Sequence, residues 1–358
     1  MLPIRHNILL FFIVVLLASC SDDSPEQDSR LFKMGFTSWP FGPALEDVDD
    51  TYSFIENHGD IYAEHIDNRI PWKAWMNDDP LPVDFFNDIS GRANRRIPDQ
   101  ELLLSVSLFN LNRDELALDF DGTVPAYISL DDPHIEDAYY EHINYLVTEL
   151  QPNYLVIAIG VNEFRLKAES KWSAYTRLIQ NVTSRIKDRY PTLSISESIS
   201  LHNLFEPDVD NPEVYINDIV EHMNQMDFAA ISFYPFLNNQ NSRSEFQASL
   251  DFINENVTVP IAFAETSHIA EDLDIVNFNL FIPGGETEQN TYLELLLSNA
   301  EEQDYEFIIW WSHRDFDTLW ETFPVDLKDL GRLWRDSGLL DENGNERLSF
   351  STWESVYE

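Results

Sequence analysis

Residues 153–164 read NYLVIAIGVNEF, a nearly unbroken apolar run that ends in a glycine and then the pair Asn162 and Glu163. An apolar run without polar alternation is typical of a strand buried on both faces, as in a parallel sheet covered by helices. A carboxylate inside such a run is costly unless it is paired or kept near the rim. We therefore expect Glu163 to lie at the carboxyl end of this strand.

The same pattern continues on both sides of this run. Strands are predicted at 31–38, 60–66, 101–109, 153–161, 193–201, 227–235, 259–266 and 306–312. Helices are predicted at 44–58, 82–96, 134–150, 170–189, 212–225, 242–256, 287–303 and 326–337. Eight such units predict an α/β fold, a (β/α)8 TIM barrel, as a single domain over 31–358. The alternative is a doubly wound open sheet, but the turn after strand 1 reads SWPFGP and lacks the glycine-rich phosphate loop of that fold.

A second carboxylate, Glu265, ends the apolar run of strand 7, where residues 263–267 read FAETS. Reactive groups of TIM barrels lie at the carboxyl ends of the strands, and strands 4 and 7 face each other across the mouth. Retaining glycoside hydrolysis uses one protonated and one ionised carboxyl group about 5–5.5 Å apart. The two glutamates fit such chemistry, which needs no cofactor, and the histidines after the strands show no metal-ligand spacing.

These motifs resemble those of the clan A glycoside hydrolases, which are retaining (β/α)8 enzymes. Their acid/base is a Glu preceded by Asn at the end of strand 4, matched by Asn162 and Glu163. Their nucleophile is a Glu at the end of strand 7, matched by Glu265. Family 53, the endo-β-1,4-galactanases, looks nearest because its strand 6 also ends in a Tyr-Pro-Phe-like segment, here residues 234–236.

The resemblance implies roles for further residues. Asn162 is expected to bind the sugar 2-hydroxyl and Tyr234 to hold the nucleophile. A tryptophan of strand 8 is expected to form the floor of the subsite at which the glycosidic bond is cleaved, and both Trp310 and Trp311 are candidates. Trp39 after strand 1 adds a further substrate-binding candidate, since flat rings stack on sugar faces.

Strand 2 departs from the clan pattern. Many clan members carry an arginine there, near the nucleophile, whereas residues 63–69 read AEHIDNR. Either His65 substitutes for it or Arg69 reaches back. His268, after strand 7, is also a substrate-binding candidate, while Trp72 and Trp75 after strand 2 fit either the groove or the core.

The N-terminus carries export features. An apolar run over residues 8–18, too short to span a bilayer comfortably, follows a single arginine, so residues 1–19 are predicted to be a signal peptide. Its end, Leu-Ala-Ser-Cys, resembles the bacterial lipobox, and Cys20 is the only cysteine. We expect Cys20 to be lipidated and residues 20–30 to form a flexible acidic tether. The predicted location is the outer membrane, with display at the cell surface.

Composition limits the partners. The chain has 64 acidic and 22 basic residues, a formal net charge of −42. This charge repels nucleic acid and anionic membrane surfaces, although an acidic coat that keeps the protein soluble accounts for most of it. We expect a neutral polysaccharide or oligosaccharide as partner, membrane contact only through the lipid anchor, and a monomer.

Two functions fit these features. The first is a retaining, endo-acting hydrolase of a neutral β-linked glycan. The second is a non-catalytic, cell-surface glycan-binding lipoprotein on the same barrel, because fold alone does not decide function. The presence of both Glu163 and Glu265 favours the enzyme, whereas the missing arginine of strand 2 favours the binding protein.

Overall fold

The computed structural model describes residues 30–66 and 69–358. The predicted signal peptide, Cys20 and most of the predicted tether lie outside the described residues. The strands are β1 (Lys33–Thr37), β2 (Ile61–Ile66), β3 (Glu101–Val106), β4 (Tyr154–Val156), β5 (Ser194–Ser196), β6 (Ser198–Ser200), β7 (Ala229–Phe233), β8 (Ile261–Thr266), β9 (Leu273–Ile275), β10 (Leu280–Ile282) and β11 (Phe307–Trp310). The helices are α1 (Leu45–His58), α2 (Trp72–Asn77), α3 (Val83–Asn94), α4 (Pro133–Leu150), α5 (Val161–Lys167), α6 (Trp172–Arg189), α7 (Pro212–Met223), α8 (Arg243–Asn256), α9 (Glu286–Glu302), α10 (Asp317–Trp320), α11 (Val325–Arg335) and α12 (Leu348–Tyr357).

The main sheet is a parallel barrel with strand order β5-β4-β3-β2-β1-β11-β8-β7-β6. Its two ends belong together, because β5 and β6 are halves of one strand interrupted only at Glu197. The chain beyond β4 bonds to both halves: Ile157 N donates to Ser196 O and Ser198 N donates to Ala158 O, each at 2.8 Å. With β5 and β6 counted as one strand, the barrel has eight strands, and the predicted (β/α)8 fold is confirmed.

The side chains of alternate strand residues form two apolar layers. One set, which includes Ile61, Leu103, Ala230 and Ile309, fills the barrel interior. A larger set packs between the strands and the surrounding helices. This two-sided burial explains why most strands read as apolar runs.

One extra residue in β8 changes which side chains face inward. Phe263 is paired with Ile231 of β7, but the next pair is Ser232 with Glu265, so β8 has advanced by two residues while β7 advanced by one. The same shift occurs against β11. Such a bulge reverses the side-chain alternation beyond it. Ala264 belongs to the interior cluster, and without the bulge Glu265 would point outward to the helices.

The eighth barrel helix is not the predicted one. A helix does form near 326–337, as α11, but none of its residues is fully buried, and it lies with α10 in the long connection between β11 and α12. The barrel layer is completed by α12, which packs against α9. Trp353 of α12 donates its indole N–H to His58 O at 2.9 Å and lies 4.5 Å from the Phe36 ring. The prediction failed because an amphipathic pattern has the same form whether the helix covers the barrel or the mouth.

The loop after β2 contains α2, and its tryptophans belong to the packing of the protein. Trp72 is fully buried and donates its indole N–H to Ala117 O at 2.7 Å. Trp75 packs against the main core, and its Nε1 lies 3.3 Å from His142 Nδ1.

Among residues 30–66 and 69–358, no helix combines the length and the apolar character needed to cross a bilayer.

Candidate active site

Glu265 lies at the carboxyl end of β8, where the bulge turns its side chain into the barrel mouth. The Tyr234 hydroxyl donates to Glu265 Oε1 at 2.5 Å, and the Ser232 hydroxyl donates to the same oxygen at 3.3 Å. Burial raises the pKa of Tyr234 well above its ordinary value, and the Glu265 carboxylate raises it further. Tyr234 therefore remains a hydrogen-bond donor at every physiological pH.

The second oxygen of Glu265 faces strand 2. His65 Nδ1 lies 3.3 Å from Glu265 Oε2, so His65 occupies the position for which an arginine was expected. Arg69 does not reach back, because its guanidinium bonds to Phe120 O at 3.3 Å on the surface. Of the two alternatives left open by the sequence, the geometry favours His65.

Glu163 lies in the first turn of α5, directly after the Gly160 turn. The Ser200 hydroxyl donates to Glu163 Oε1 at 2.7 Å, and Lys167 Nζ lies 3.7 Å from Oε2. Gly160 has a φ of 68°, and a Cβ there would lie 2.9 Å from Arg113 Nε. This turn therefore favours glycine, both for its backbone conformation and for the space it leaves beside the Arg113 guanidinium.

Two serines connect the glutamates. Ser200 ends β6 and is the register partner of Ser232 in β7. Ser200 bonds to Glu163, and Ser232 bonds to Glu265. Register partners on adjacent parallel strands point to the same face of a sheet and are separated by about 4.8 Å. The two carboxylates thus lie on one continuous polar surface at the mouth.

Asn162 is bound to the protein itself. Its side chain is fully buried, its Nδ2 donates to Ser200 O at 2.9 Å, and its Oδ1 accepts from Ser200 N at 2.9 Å. This paired bond positions the strand end that carries the Ser200 hydroxyl. Binding of a sugar 2-hydroxyl by Asn162 stays a prediction, and its donor would be the second N–H of Nδ2, which the bond to Ser200 O does not use.

The strand-8 tryptophans point to opposite sides. Trp310 is fully buried in the outer layer and donates its indole N–H to Ser337 O at 2.9 Å. Trp311 belongs to a separate aromatic cluster at the mouth, with its ring 5.4 Å from His65 and 5.5 Å from Trp39. Trp311 and Trp39 therefore lie on the side of Glu265, and Trp310 does not.

His268 has no surface to offer a substrate. It is fully buried, with Nδ1 3.0 Å from Ile269 O and Nε2 3.2 Å from Gln240 O. Burial lowers its pKa, although both carbonyl contacts oppose this shift. The expectation that His268 binds substrate is therefore wrong, and its role is structural. A histidine that follows a strand can also point away from the mouth, as His268 does.

Three polar residues at the mouth were not singled out from the sequence. The hydroxyls of Ser200 and Ser232 donate to Glu163 and Glu265. Residues 194–200 read SISESIS, and this alternation indicates a polar face on the inner side of the strand. His202 is the third. Burial lowers its pKa, and the negative charge of Glu163 opposes that shift.

Acidic clusters occur away from the two glutamates. Asp315 comes close to Asp317 and Asp336 on one side and to Glu271 and Glu342 on the other. Cationic side chains already pair with these groups. Arg347 bonds to Asp315 and Glu271, and Arg335 bonds to Asp336. Burial raises the pKa of Asp315 well above its ordinary value, while the Arg347 charge opposes that shift.

Solved structures share this architecture. A GH53 catalytic domain from Ignisphaera aggregans is 15% identical, with 88% of this chain and 89% of that chain covered and a TM-score of 0.58. Xylanase 10B from Thermotoga maritima is 10% identical, with 91% and 94% covered and a TM-score of 0.60. A GH5_18 structure from Bifidobacterium longum with bound Manβ1-4GlcNAc is 14% identical, with 91% and 78% covered and a TM-score of 0.64.

The chain has the fold of the clan A glycosidases. The resemblance drawn from the strand-4 and strand-7 motifs is confirmed at the level of fold. At 10–15% identity the likeness covers the architecture alone. No protein-family model matches the sequence, and no curated protein matches it.

Proposed function

We propose that this protein is a retaining glycoside hydrolase that cleaves a neutral, β-linked polysaccharide or oligosaccharide. The observation that carries the proposal is the environment of Glu265. A bulge turns it into the mouth, and Tyr234, Ser232 and His65 surround its two oxygens. A carboxylate held on both oxygens is pre-oriented for attack on an anomeric carbon.

In the first step Glu265, ionised, attacks the anomeric carbon while Glu163 protonates the departing glycosidic oxygen. The carbon–oxygen bond to the leaving group breaks as the bond to Glu265 forms, which gives a glycosyl-enzyme. Tyr234 and Ser232 hold the carboxylate in position, and Ser200 holds Glu163.

In the second step Glu163, now ionised, removes a proton from water. The oxygen of that water attacks the anomeric carbon, and Glu265 leaves as a carboxylate. Two inversions give net retention. Tyr234 acts most strongly here, because its hydroxyl donates to the oxygen on which negative charge reappears.

The substrate and the location are part of the proposal. A formal charge of −42 disfavours acidic glycans, and the Trp39 and Trp311 rings suit the apolar face of a neutral sugar. We place the enzyme at the cell surface, anchored through Cys20, as a monomer that acts within chains.

The test is hydrolysis of a panel of neutral polysaccharides, with released reducing ends as the readout. Glu265→Gln and Glu163→Gln each keep size and remove charge, and each is expected to lower the rate by several orders of magnitude. Glu169→Gln is the matched control, since this side chain follows α5 and is 75% exposed. Full activity in either of the first two variants would refute the proposal. Proton NMR of the wild-type reaction should show the β-anomer first.

A second candidate is a glycan-binding protein without catalysis. It is favoured by Asn162, whose side chain is fully buried and is bonded to Ser200 through both atoms of its amide. This candidate is right if wild-type protein binds a glycan of the panel but releases no reducing ends from it, and if Glu265→Gln binds equally well.

A further inference from the structure

A cavity of about 460 Å³ opens between the loops that follow β6 and β7, beside the first turn of α8. Binding sites for small molecules usually have volumes of about 300–1,000 Å³. The cavity therefore has the size of a ligand site. The residues that line it are Phe205, Glu206, Asn238, Asn239, Gln240, Ser244, Glu245 and Ala248.

Both loops that form the cavity begin at the mouth of the barrel. The loop after β6 begins just beyond Ser200, whose hydroxyl donates to Glu163. The loop after β7 begins at Tyr234, whose hydroxyl donates to Glu265. The lining of the cavity includes neither glutamate nor any of the described residues that bond to them. The cavity is thus a separate feature of the rim, next to the mouth on the side of β6 and β7.

The walls of the cavity are fixed by bonds within the protein. Gln240 is buried, and both atoms of its amide bond to the Ser249 hydroxyl. Asn238 Nδ2 donates to His202 O at 3.0 Å and so joins the two loops. Glu245 completes the capping box of α8, which occupies its carboxylate. A site with walls fixed in this way binds a ligand at a lower entropic cost than a mobile one.

Two side chains of the lining are not part of this framework. Glu206 and Asn239 are exposed, and neither side chain bonds to another described residue. The backbone φ is 56° at Glu206 and 53° at Asn239. Asparagine tolerates such values, but they are uncommon for glutamate and cost free energy. A strained backbone that holds an unbonded carboxylate at a cavity points to a binding role for Glu206.

The lining has the chemistry of a site for an uncharged sugar. It contains two carboxylates and no lysine, arginine or histidine, which disfavours an anionic ligand. Only Glu206 has a carboxylate that is not already bonded, too few to select a metal cation. Phe205 is half-buried, edge-to-face against Phe252 at 5.6 Å, and contributes an apolar surface. Beside it, the Glu206 carboxylate and the Asn239 amide can bond to hydroxyl groups.

We propose that this cavity binds a sugar unit of a neutral polysaccharide outside the mouth, with Phe205, Glu206 and Asn239 as the contacting residues. A long chain that occupies the cavity also reaches the mouth, so the site holds the polymer close to Glu163 and Glu265. Binding in the cavity does not depend on catalysis. Only its effect on hydrolysis rests on the proposed function.

The test uses full-length protein with Cys20→Ala, for solubility, and Glu265→Gln, to prevent turnover. Retardation in native gels that contain galactan, mannan, β-glucan or xylan gives a Kd for each polysaccharide. Glu206→Gly and Asn239→Gly remove the side chains while the positive φ suits glycine. Each should raise the Kd of the tightest polysaccharide about three- to tenfold, the effect of one lost hydrogen bond. The matched control is Asp304→Gly, also exposed with a φ of 52° but in the turn before β11, and its Kd should stay within about twofold.

A covalent plug provides an independent measurement. Because Cys20 is the only cysteine, Asn239→Cys in the Cys20→Ala chain places a single thiol at the cavity. Modification with a bulky maleimide should raise Kd at least about threefold. The same modification of Thr192→Cys should not, because Thr192 lines a different cavity, of about 710 Å³, at the base of the barrel. With Glu265 restored, the plugged protein should hydrolyse a small aryl glycoside at the unplugged rate.

The outcomes separate this site from the proposed function. The site is overturned if no polysaccharide retards the protein, if both glycine variants keep the parent Kd, or if the plug does not raise it. Hydrolysis by wild-type protein in any of those cases leaves the proposed function standing alone. If the variants and the plug raise Kd but wild-type protein releases no reducing ends, the site stands and the proposed catalysis fails. Loss of aryl glycoside hydrolysis on plugging would show that the cavity belongs to the mouth, and a separate site would then be wrong.

Discussion

Tyr234→Phe tests how the proposed nucleophile is stabilised. The substitution removes one oxygen, the hydroxyl that donates to Glu265 Oε1 at 2.5 Å, from a side chain that is only 2% exposed. A hydrogen bond to a charged group contributes about 1.5–3 kcal/mol. In the second step this bond forms as charge returns to Glu265, so its loss raises that barrier by a similar amount. At about 1.4 kcal/mol per tenfold change in rate, kcat should fall roughly 10- to 150-fold.

The assay uses an aryl glycoside with a good leaving group, with the released phenol followed from the first turnover. Since the second step is slowed more than the first, the variant should show a burst of about one equivalent of phenol before its slow steady rate. Tyr292→Phe is the matched control. Its hydroxyl is equally buried and lies 2.6 Å from Thr266 Oγ1, the neighbour of Glu265, yet touches neither carboxylate oxygen. Wild-type kcat and no burst in Tyr234→Phe would refute the reasoning.

Three further outcomes concern residues outside the mouth. Arg347→Leu leaves Asp315 buried without its cation, and urea unfolding should show a loss of about 3–5 kcal/mol, whereas a loss under 1 kcal/mol would contradict the pairing. Burial lowers the pKa of His222, but the Glu197 carboxylate outweighs it and the net shift is upward. The stabilisation is therefore full below the ordinary value of about 6.5 and is lost as pH rises through the folded-state pKa, so Tm should fall more between pH 6 and 9 in wild type than in His222→Gln. Equal slopes would contradict the ion pair. Cys20→Ala should move the protein from the membrane to the soluble fraction at unchanged specific activity, and retention in the membrane would refute anchoring through Cys20.

Both glutamates could be located from the sequence because each follows a run of apolar residues. A parallel strand covered by helices buries both faces, so its residues are apolar until it reaches the mouth. The first charged side chain after such a run marks the carboxyl end of the strand. This reasoning placed Glu163 and Glu265 at the mouth. The contact between Tyr234 and Glu265, which the resemblance to clan A implied, is present in the structure.

Orientation within a strand could not be predicted in the same way. Alternation along β8 from the inward Ala264 would turn Glu265 outward, and only the bulge against both neighbours turns it inward. For Trp310 and Trp311 the sequence left both orientations open. A bulge depends on how two neighbouring strands pair, and no single strand carries that information.

By itself the sequence determined the eight-unit barrel, the two carboxylates at its mouth and the absence of a permanent cation late in strand 2. Tertiary structure decided what surrounds those carboxylates. In the folded protein His65, and not Arg69, lies beside Glu265, and the Asn162 amide is bonded to Ser200. Trp334 lies beside Tyr234, although its helix was predicted to belong to the outer layer. The physical reason is that hydrophobic periodicity reports whether a side chain is buried, whereas contacts between distant segments depend on strand register and on where each loop packs.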